Sequence, residues 1–547
     1  MQNKAKQKTD QKADEPADTL HWADQTAAKI ISEKGDKKKY TVASGITPSG
    51  TVHIGNFREI ITTELVARSL RRLGKKVRFI YSWDDYDVLR KVPKNMPKPE
   101  FLEKFLRMPI VDTPDTSDEK SGKSYARKNE EAVENIIPKV GINPEFIYQH
   151  KMYRACKYAE QMHHAILMRQ KIIDILNKCR KEPLDEDWMP VSVFCGQCKK
   201  DTTKITDYDK NNSISYKCAS CGHEDSFDIR KKGFAKLKWR IDWPMRWGYE
   251  DVDFEPGGKD HSTVGGSRDT GAQIIKEVWD KEPPVYLMYD FIRIKGGSGK
   301  ISSSSGEVVD LYEVLEIYEP MMVRWLFAGT RPNAEFAISF DADAIKLYED
   351  FDKCERIYYG EEKAKNEKED TNQRRIYELS AVDEDLGRLP EKIPYQPSFR
   401  HLCNVILMNG MDAEKSISFY EKQLKDEFDR QRLKTRAVCA VNWLKKYAPD
   451  EFKFVIQDEV ADETRNKLSG EQKKALKDIA AVLKKRQDWN DEKLHEEFYI
   501  IMQNNRLDIK DFFKAAYNVL INKDRGPKLA AFVLEIKEKA IKLFEQV

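Results

Sequence analysis

The sequence predicts an α/β protein with a parallel sheet in its first half and an all-α region after it. Three observations predict this. A β-type run, a glycine-rich turn, a helical run and a second β-type run follow one another between Lys39 and Trp83. Alternating α and β signals return from Phe234 to Arg331. Beyond Pro332 the apolar residues keep helical spacing to Val547, with few β-type runs.

The first run is Tyr40-Thr41-Val42-Ala43-Ser44, and a helix follows from about Ile54 to Leu73, with Ile60, Ile61, Leu65, Val66, Ser69 and Leu70 at helical spacing. Gly74 ends it, and Val77–Trp83 is the second run, closed by Asp84 and Asp85. Strand, helix, strand in this order is a parallel βαβ unit of Rossmann type, whose ligands bind at the carboxyl ends of the strands. Residues 128–180 read as helical.

Composition bounds the function. The chain has 547 residues, 40% hydrophobic and 34% charged, which excludes collagen-like and wholly disordered classes. At ~150 residues per domain, three or four domains are expected. A net charge of +3 does not by itself announce a nucleic-acid binder, so any polyanion contact must come from local patches. No apolar run reaches the ~18 residues of a membrane span. Residues 1–20 have no apolar core and read as a mixed-charge disordered tail, not a secretory signal. Nine cysteines, an odd and scattered set, suit a reducing, cytoplasmic compartment.

Two polar loops carry the chemistry. The first is the turn from Ser44 to Asn56, with Gly45, Thr47, Pro48, Gly50, His53, Gly55 and Asn56. His53 and Asn56 fall in the first helical turn, where backbone N–H groups and the positive dipole end favour phosphate. The second runs from Lys295 to Gly306 and sets Lys300 among glycines and serines, including Ser302, Ser303 and Ser304. A cationic loop of this kind can close over a triphosphate and neutralise charge as pyrophosphate leaves. Neither loop is a Walker A motif or a dinucleotide fingerprint. Taken singly, the first also reads as an ordinary capped βα turn and the second as a linker.

Cys195-x2-Cys198 and Cys218-x2-Cys221 form a C-x2-C-x19-C-x2-C pattern. Two such knuckles suit a closed, tetrahedral Zn2+ site of structural role, in a ribbon too short to have its own core. His223 is an alternative fourth ligand, though a polar turn histidine explains it as well.

Paired on an α/β scaffold, the loops resemble the HIGH and KMSKS signatures of class I aminoacyl-tRNA synthetases. Here they read His53-Ile54-Gly55-Asn56 and Lys300-Ile301-Ser302-Ser303-Ser304, so Asn56 replaces a histidine and Ser303 the second lysine. The stretches Lys238–Trp247, Asp253–His261 and Gly265–Gly271, with Ser82–Asp87 and Lys523–Leu529, are similar to class I lysyl-tRNA synthetases of archaeal type. The resemblance covers residues 20–547. It implies activation of L-lysine by ATP (with Mg2+) to lysyl-adenylate and transfer to the 3′ end of tRNA(Lys).

It implies roles for residues too. His53, Asn56 and Lys300 are the expected catalytic residues. Pro48, Gly50, Gly55, Gly258, Asp260, Ser302, Ser303 and Ser304 are expected with them at ATP. Gly45 and Thr47 are expected at the lysine; residue chemistry adds Asp84 and Asp85, because an ammonium needs an anion, and Trp243 and His261, because the methylenes need a wall, although acids after a strand also cap the next helix and Trp243 before Pro244 also reads as core. Some archaeal relatives carry a further Cys/His metal cluster. The matching stretch here, Asp112–Asn129, has no Cys or His, so no second site is expected.

The expected organisation is a disordered tail (1–20), a Rossmann catalytic domain (21–335) with a zinc-ribbon insertion (191–228), a helical connecting domain (336–394) and an α-helical anticodon-binding domain (395–547). Residues 391–547 carry a net charge of +4. Lys473, Lys474, Lys477, Lys484, Lys485 and Arg486 surround a stripe of Leu476, Ile479 and Leu483, a pattern of a solvated helix face or of a tRNA-backbone surface. A monomer is the default expectation. The alternatives are a glutamyl- or glutaminyl-type class I synthetase and a non-catalytic tRNA-binding paralogue.

Overall fold

The computed structural model describes residues 21–92, 96–295, 309–383 and 389–547. The chain forms two units, Met1–Ile338 with Lys353–Lys392, and Ser339–Asp352 with Ile393–Val547. Residues 336–394, expected as one connecting region, are thus shared between the two.

In the first unit, β1 (Lys39–Ile46), β2 (Lys76–Trp83) and β3 (Glu145–Tyr148) precede an insertion carrying β4 (Val191–Val193), β5 (Thr203–Tyr208), β6 (Ser213–Cys218), β7 (Glu224–Asp228) and β8 (Ala235–Leu237). After it come β9 (Val252–Gly258), β10 (Val285–Tyr289), β11 (Ile292–Lys295) and β12 (Phe336–Ser339). The main sheet has five strands in the order β10-β9-β1-β2-β3, all parallel. From β1 the chain winds one way through β2 to β3 and the other way through β9 to β10. The carboxyl ends of β1 and β9 therefore flank a topological switch point.

Helices α1 (Trp22–Lys34) and α2 (Ile54–Arg72) pack on this sheet. α2 forms because its apolar residues recur every three or four positions, and Ile54, Phe57, Ile60, Ile61, Leu65 and Leu70 are all buried. A reciprocal capping box starts it. His53 Nδ1 accepts from Asn56 N at 3.3 Å, and Asn56 Oδ1 accepts from His53 N at 3.2 Å.

The stretch 128–180, expected to be helical, is interrupted by β3, the edge strand of the sheet. Four residues are too few for a period-2 pattern to stand out. The strand exists because it pairs with β2, Ile80 opposite Glu145 and Trp83 opposite Tyr148.

The insertion is closed at its root by antiparallel pairing of β4 with β8, and its body is the β5-β6-β7 meander. The expectation that it has no core of its own is refined here. Its buried Phe194, Ile214, Tyr216 and Phe227 are continuous with Tyr86 and Tyr153 of the surrounding unit, so it shares its neighbour's core.

Two buried arginines tie α2 to the rest of the unit. Arg58 donates to the carbonyls of Asp290 (2.7 Å), Phe291 (3.2 Å), Arg331 (3.0 Å) and Ala334 (2.7 Å). Arg324, with no exposed surface, pairs with Glu64 at 2.6 Å and donates to the carbonyls of Val140 and Leu379. Glu64 also accepts from Arg68.

The second unit is helical. Phe399–Met408, Glu427–Lys446, Gly470–Lys485, Asp491–Asn504 and Ile509–Ile521 each begin at a Ser, Asp or Asn whose side chain accepts a first-turn N–H. On Gly470–Lys485 the apolar stripe Leu476, Ile479 and Leu483 is fully buried. No helix among the described residues is long and apolar enough to cross a membrane.

Replacing Arg324 by alanine strands the Glu64 carboxylate in the interior. A loss of about 3–5 kcal/mol is expected, read as a lower denaturation midpoint of the first unit. Replacing Glu64 and Arg324 together by Leu and Met should cost markedly less.

Candidate active site

A cavity of about 410 Å³ lies at the carboxyl ends of β1 and β9, lined by the ends of β1, β2 and β10 and by the start of α2. Of the residues expected at a site, Gly45, Thr47, His53, Gly55, Asn56, Asp84, Asp260 and His261 line it. The volume lies within the ~300–1,000 Å³ of small-molecule sites.

The first signature forms the mouth. The capping box fixes His53 and Asn56 against each other, and the role of Nδ1 as acceptor leaves the imidazole proton on Nε2. Gly55 has a reason that spacing did not reveal. A Cβ there would stand 2.9 Å from Cε1 and Nδ1 of the His53 ring, so glycine lets the imidazole fold over the first turn. Of the amides in that turn, Ile54 N–H donates to Val309 O at 2.9 Å, and Asn56 N–H is held by His53. His53 also forms a β-bridge with Asp310.

These bonds join the first signature to Val309 and Asp310, which follow the second in the chain. Lys300, Ser302, Ser303 and Ser304 lie outside the described residues. The segments on either side of that loop are described, and both reach the cavity. Ile292 of β11 lines it, and Val309 is bonded to the first residue of α2.

The deep end is acidic. Glu59, one helical turn beyond Asn56, accepts from Gly45 N–H at 3.0 Å and from Tyr289 O–H at 2.7 Å. It has no ion pair among the described residues, and burial pushes its carboxyl up to about 8, with Glu255 and Asp84 adding to the effect. Asp84 is also pushed up, to about 6, by burial, although Arg246 stands 2.7 Å away. Arg246 is 3.5 Å from Asp242, and Lys236 bridges Asp87 (2.6 Å) and Asp242 (3.4 Å). Glu255 accepts from the indole N–H groups of Trp243 and Trp247. The two cations beneath the floor are thus already paired, and Glu59 is held by neutral donors alone.

Several expected residues stand elsewhere. Asp85 is buried and accepts from His150 N at 2.7 Å, so it caps the helix Gln149–Arg154 and does not face the cavity. Adjacent residues leaving a strand diverge, and only Asp84 turns inward. Trp243 stands behind Trp239, stacked at 5.4 Å, and it is Trp239 that lines the wall, 5.6 Å from His261. Pro48, Gly50 and Gly258 are not among the lining residues. Pro48 O accepts from Asn129, while Gly258 makes room for its neighbour, since a Cβ there would meet Asp260 Oδ1 at 2.6 Å.

Glu59, Tyr289 and Trp239 were missed. Glu59 lies three residues after Asn56 on the same helical face, and Tyr289 at the carboxyl end of a strand, so helical spacing and strand-end position were the available signals.

The four cysteines of the insertion converge. Cys195 and Cys221 Sγ are 3.6 Å apart, Cys198 and Cys218 Sγ 3.5 Å, and all four lie within 4.8 Å of one another. A tetrahedral site with Zn–S bonds of ~2.3 Å has S–S edges of about 3.8 Å, so the donor set fits Zn2+. His223 is not in this group.

A family model described as tRNA synthetases class I (K) matches residues 20–383. The lysine–tRNA ligase of Borreliella burgdorferi is 49% identical over 531 residues, covering 97% of this chain and 99% of the relative. That of Treponema pallidum is 46% identical over 519 residues, 94% and 96% of the two chains. That of the archaeon Thermococcus kodakarensis is 40% identical over 532 residues, 95% and 98%.

Metal analysis of the purified chain is expected to give one equivalent of zinc. Cys198→Ser should lower its retention against a chelator by at least tenfold.

Proposed function

The chain belongs to the class I lysyl-tRNA synthetases, and from that membership we infer that it joins L-lysine to tRNA in two steps within the cavity above. A lysine carboxylate oxygen attacks the α-phosphorus of ATP, the bond to pyrophosphate breaks, and lysyl-adenylate forms. The 3′-terminal ribose hydroxyl of tRNA then attacks the carbonyl carbon, and AMP leaves. No covalent bond to the enzyme is needed, so catalysis is in-line positioning and charge stabilisation.

The observation that carries the lysine reading is the Glu59 carboxylate, half-buried in the cavity and without a cation among the described residues. The ε-ammonium of lysine supplies that cation, with Tyr289 beside it and Trp239 along the methylenes. A glutamyl-type enzyme would need an available cation there. Arg246 and Lys236 are each within ion-pair distance of two carboxylates, which favours lysine.

On this reading Gly45 and Thr47 meet the amino-acid backbone, and Asp84 faces its α-amino group. His261, beside Trp239, completes the wall. His53 and Asn56 meet the ATP phosphates, while Asp260 is placed for ribose hydroxyls. Lys300 and the serines 302–304 belong to the loop that neutralises departing pyrophosphate, a charge that falls more heavily on Lys300 because Ser303 is uncharged. Mg2+ enters as part of the ATP substrate. Zinc in the cysteine quartet holds the ribbon and takes no part in the reaction, because four thiolates leave no open position.

Aminoacylation of total tRNA tests the reading: lysine is expected to be charged and glutamate not, and the reverse would overturn it. Glu59→Gln should raise KM for lysine about 10- to 100-fold, the worth of one charged hydrogen bond, with KM for ATP little changed.

Because burial pushes the Glu59 carboxyl up to about 8, binding of the ammonium must expel its proton below that pH. KM for lysine is therefore expected to fall as pH rises from 6 to 8, by at most ~tenfold per unit, and Glu59→Gln should flatten that slope. Lys300→Ala should lower the rate of adenylate formation by ~10²–10³. An unchanged rate would remove Lys300 from the mechanism.

A further inference from the structure

Lys236 is a buried cation that takes no part in the two reaction steps. It is the middle residue of β8, between Ala235 and Leu237, and only 5% of it is exposed. Burying an ammonium is costly, and an ion pair so placed adds little net stability over a packed apolar pair. Its surroundings show another use. Nζ stands 2.6 Å from Asp87 Oδ1 and 3.4 Å from Asp242 Oδ2. The other Asp87 oxygen, Oδ2, accepts the hydroxyl of Thr47 at 3.2 Å, and Thr47 lines the cavity.

These contacts belong to a chain of six groups that begins and ends at the cavity. Thr47 leads to Asp87, Asp87 to Lys236, Lys236 to Asp242, Asp242 to Arg246 at 3.5 Å, and Arg246 to Asp84 at 2.7 Å. Asp242 is fully buried, and its other oxygen takes the Tyr153 hydroxyl. The backbone holds Asp87 in place as well. Its N–H donates to Asp84 O at 3.2 Å, and its carbonyl accepts from Ile110 N–H at 2.8 Å. Burial works against the charge on Lys236, but Asp242, Asp87 and Asp84 outweigh it and raise its pKa above the ordinary lysine range.

The order of donors along this chain fixes one proton. An ammonium only donates, and a carboxylate only accepts. A threonine hydroxyl has one proton to give and two lone pairs. With Asp87 held as the anion by Lys236, the Thr47 proton goes to Asp87, and Thr47 Oγ1 keeps only lone pairs for the cavity. Such an oxygen can receive an N–H of an ammonium. It has no proton left for a carboxylate.

We propose that Asp87 and Lys236 are positioning residues for amino-acid activation: they hold Thr47 Oγ1 as an acceptor, so that Thr47 takes the α-ammonium of lysine beside Asp84 and leaves the reacting carboxylate to other groups. The proposal deepens the lysine–tRNA ligase reading and rests on it.

The test is ATP–pyrophosphate exchange by the full chain, with lysinamide as a competitor of lysine. Lysinamide keeps both amino groups and lacks the carboxylate. Asp87→Asn should reverse the polarity at Thr47. Lys236 can only donate, so it takes the carboxamide oxygen, the carboxamide N–H faces Thr47, and the Thr47 proton is turned into the cavity against the ammonium. KM for lysine and Ki for lysinamide are both expected to rise about 10- to 100-fold, the worth of one charged hydrogen bond. kcat and KM for ATP should stay within about twofold. Thr47→Val should raise the same two constants, and adding Asp87→Asn to it should cost nothing more.

Lys236→Met added to Asp87→Asn removes the charge pair together. The carboxamide is then free to turn its oxygen to Thr47, and Ki for lysinamide is expected to recover by about fivefold or more. Thr47→Val leaves Asp87 and Lys236 paired, so the comparison of lysine with lysinamide stands should Asp87→Asn fail to fold. In either single variant, a rise in KM for lysine with Ki for lysinamide unchanged would put Thr47 at the carboxylate and overturn the proposal. So would unchanged constants in both, full additivity of the two, or a parent that lysinamide does not inhibit. Parent exchange with glutamate and not with lysine is a different result, and it would sink the preceding reading instead.

Discussion

A parallel sheet that reverses its winding between β1 and β9 leaves a crevice at the carboxyl ends of those two strands, because each connection departs to its own side. The cavity depends on that constraint. β1 delivers Gly45 and Thr47 into the crevice, β9 leads to Asp260 and His261, and α2 starts beside them with its amide end toward the opening. The capping box makes the geometry sharp, since the two side chains expected to meet phosphate also start the helix. A change at His53 or Asn56 therefore disturbs the cavity mouth and the helix start together.

α2 is the mechanical centre of the site. Its first amide holds Val309, Arg58 holds the carbonyls of Asp290 and Phe291, and Glu59 closes the deep end. One rigid element, anchored further along by Glu64 and Arg324, thus sets the distance between the mouth, the floor and both flanks of the second signature. That arrangement favours catalysis by positioning, which tolerates little play in the groups that surround the reacting atoms.

The fold class, the βαβ unit, the capped start of α2 and the cysteine pattern were legible in the sequence because each rests on local spacing. What was not legible depends on pairing at a distance. β3 is strand only through β2, and the choice between Trp239 and Trp243 cannot be made from two indoles one turn apart on the same helix. Asp84 and Asp85 are chemically alike and adjacent, and only the backbone direction after β2 sends one to the cavity and the other to His150. Glu59 escaped notice for a related reason. An acid on a helix reads as solvated surface until the fold turns it toward the strand ends, where Gly45 and Tyr289 hold it.

The ribbon's dependence on its host core reaches as far as the cavity. From Cys195 the packing runs through Phe194 to Tyr86, 4.9 Å between rings, and on to Tyr153, 5.8 Å further. The Tyr153 hydroxyl bonds Asp242, which faces Arg246, the partner of Asp84 at the cavity. A single line of side-chain contacts therefore links the first cysteine of the ribbon to the guanidinium beneath the cavity, so a rearrangement at that knuckle and a rearrangement of Asp84 are mechanically one event.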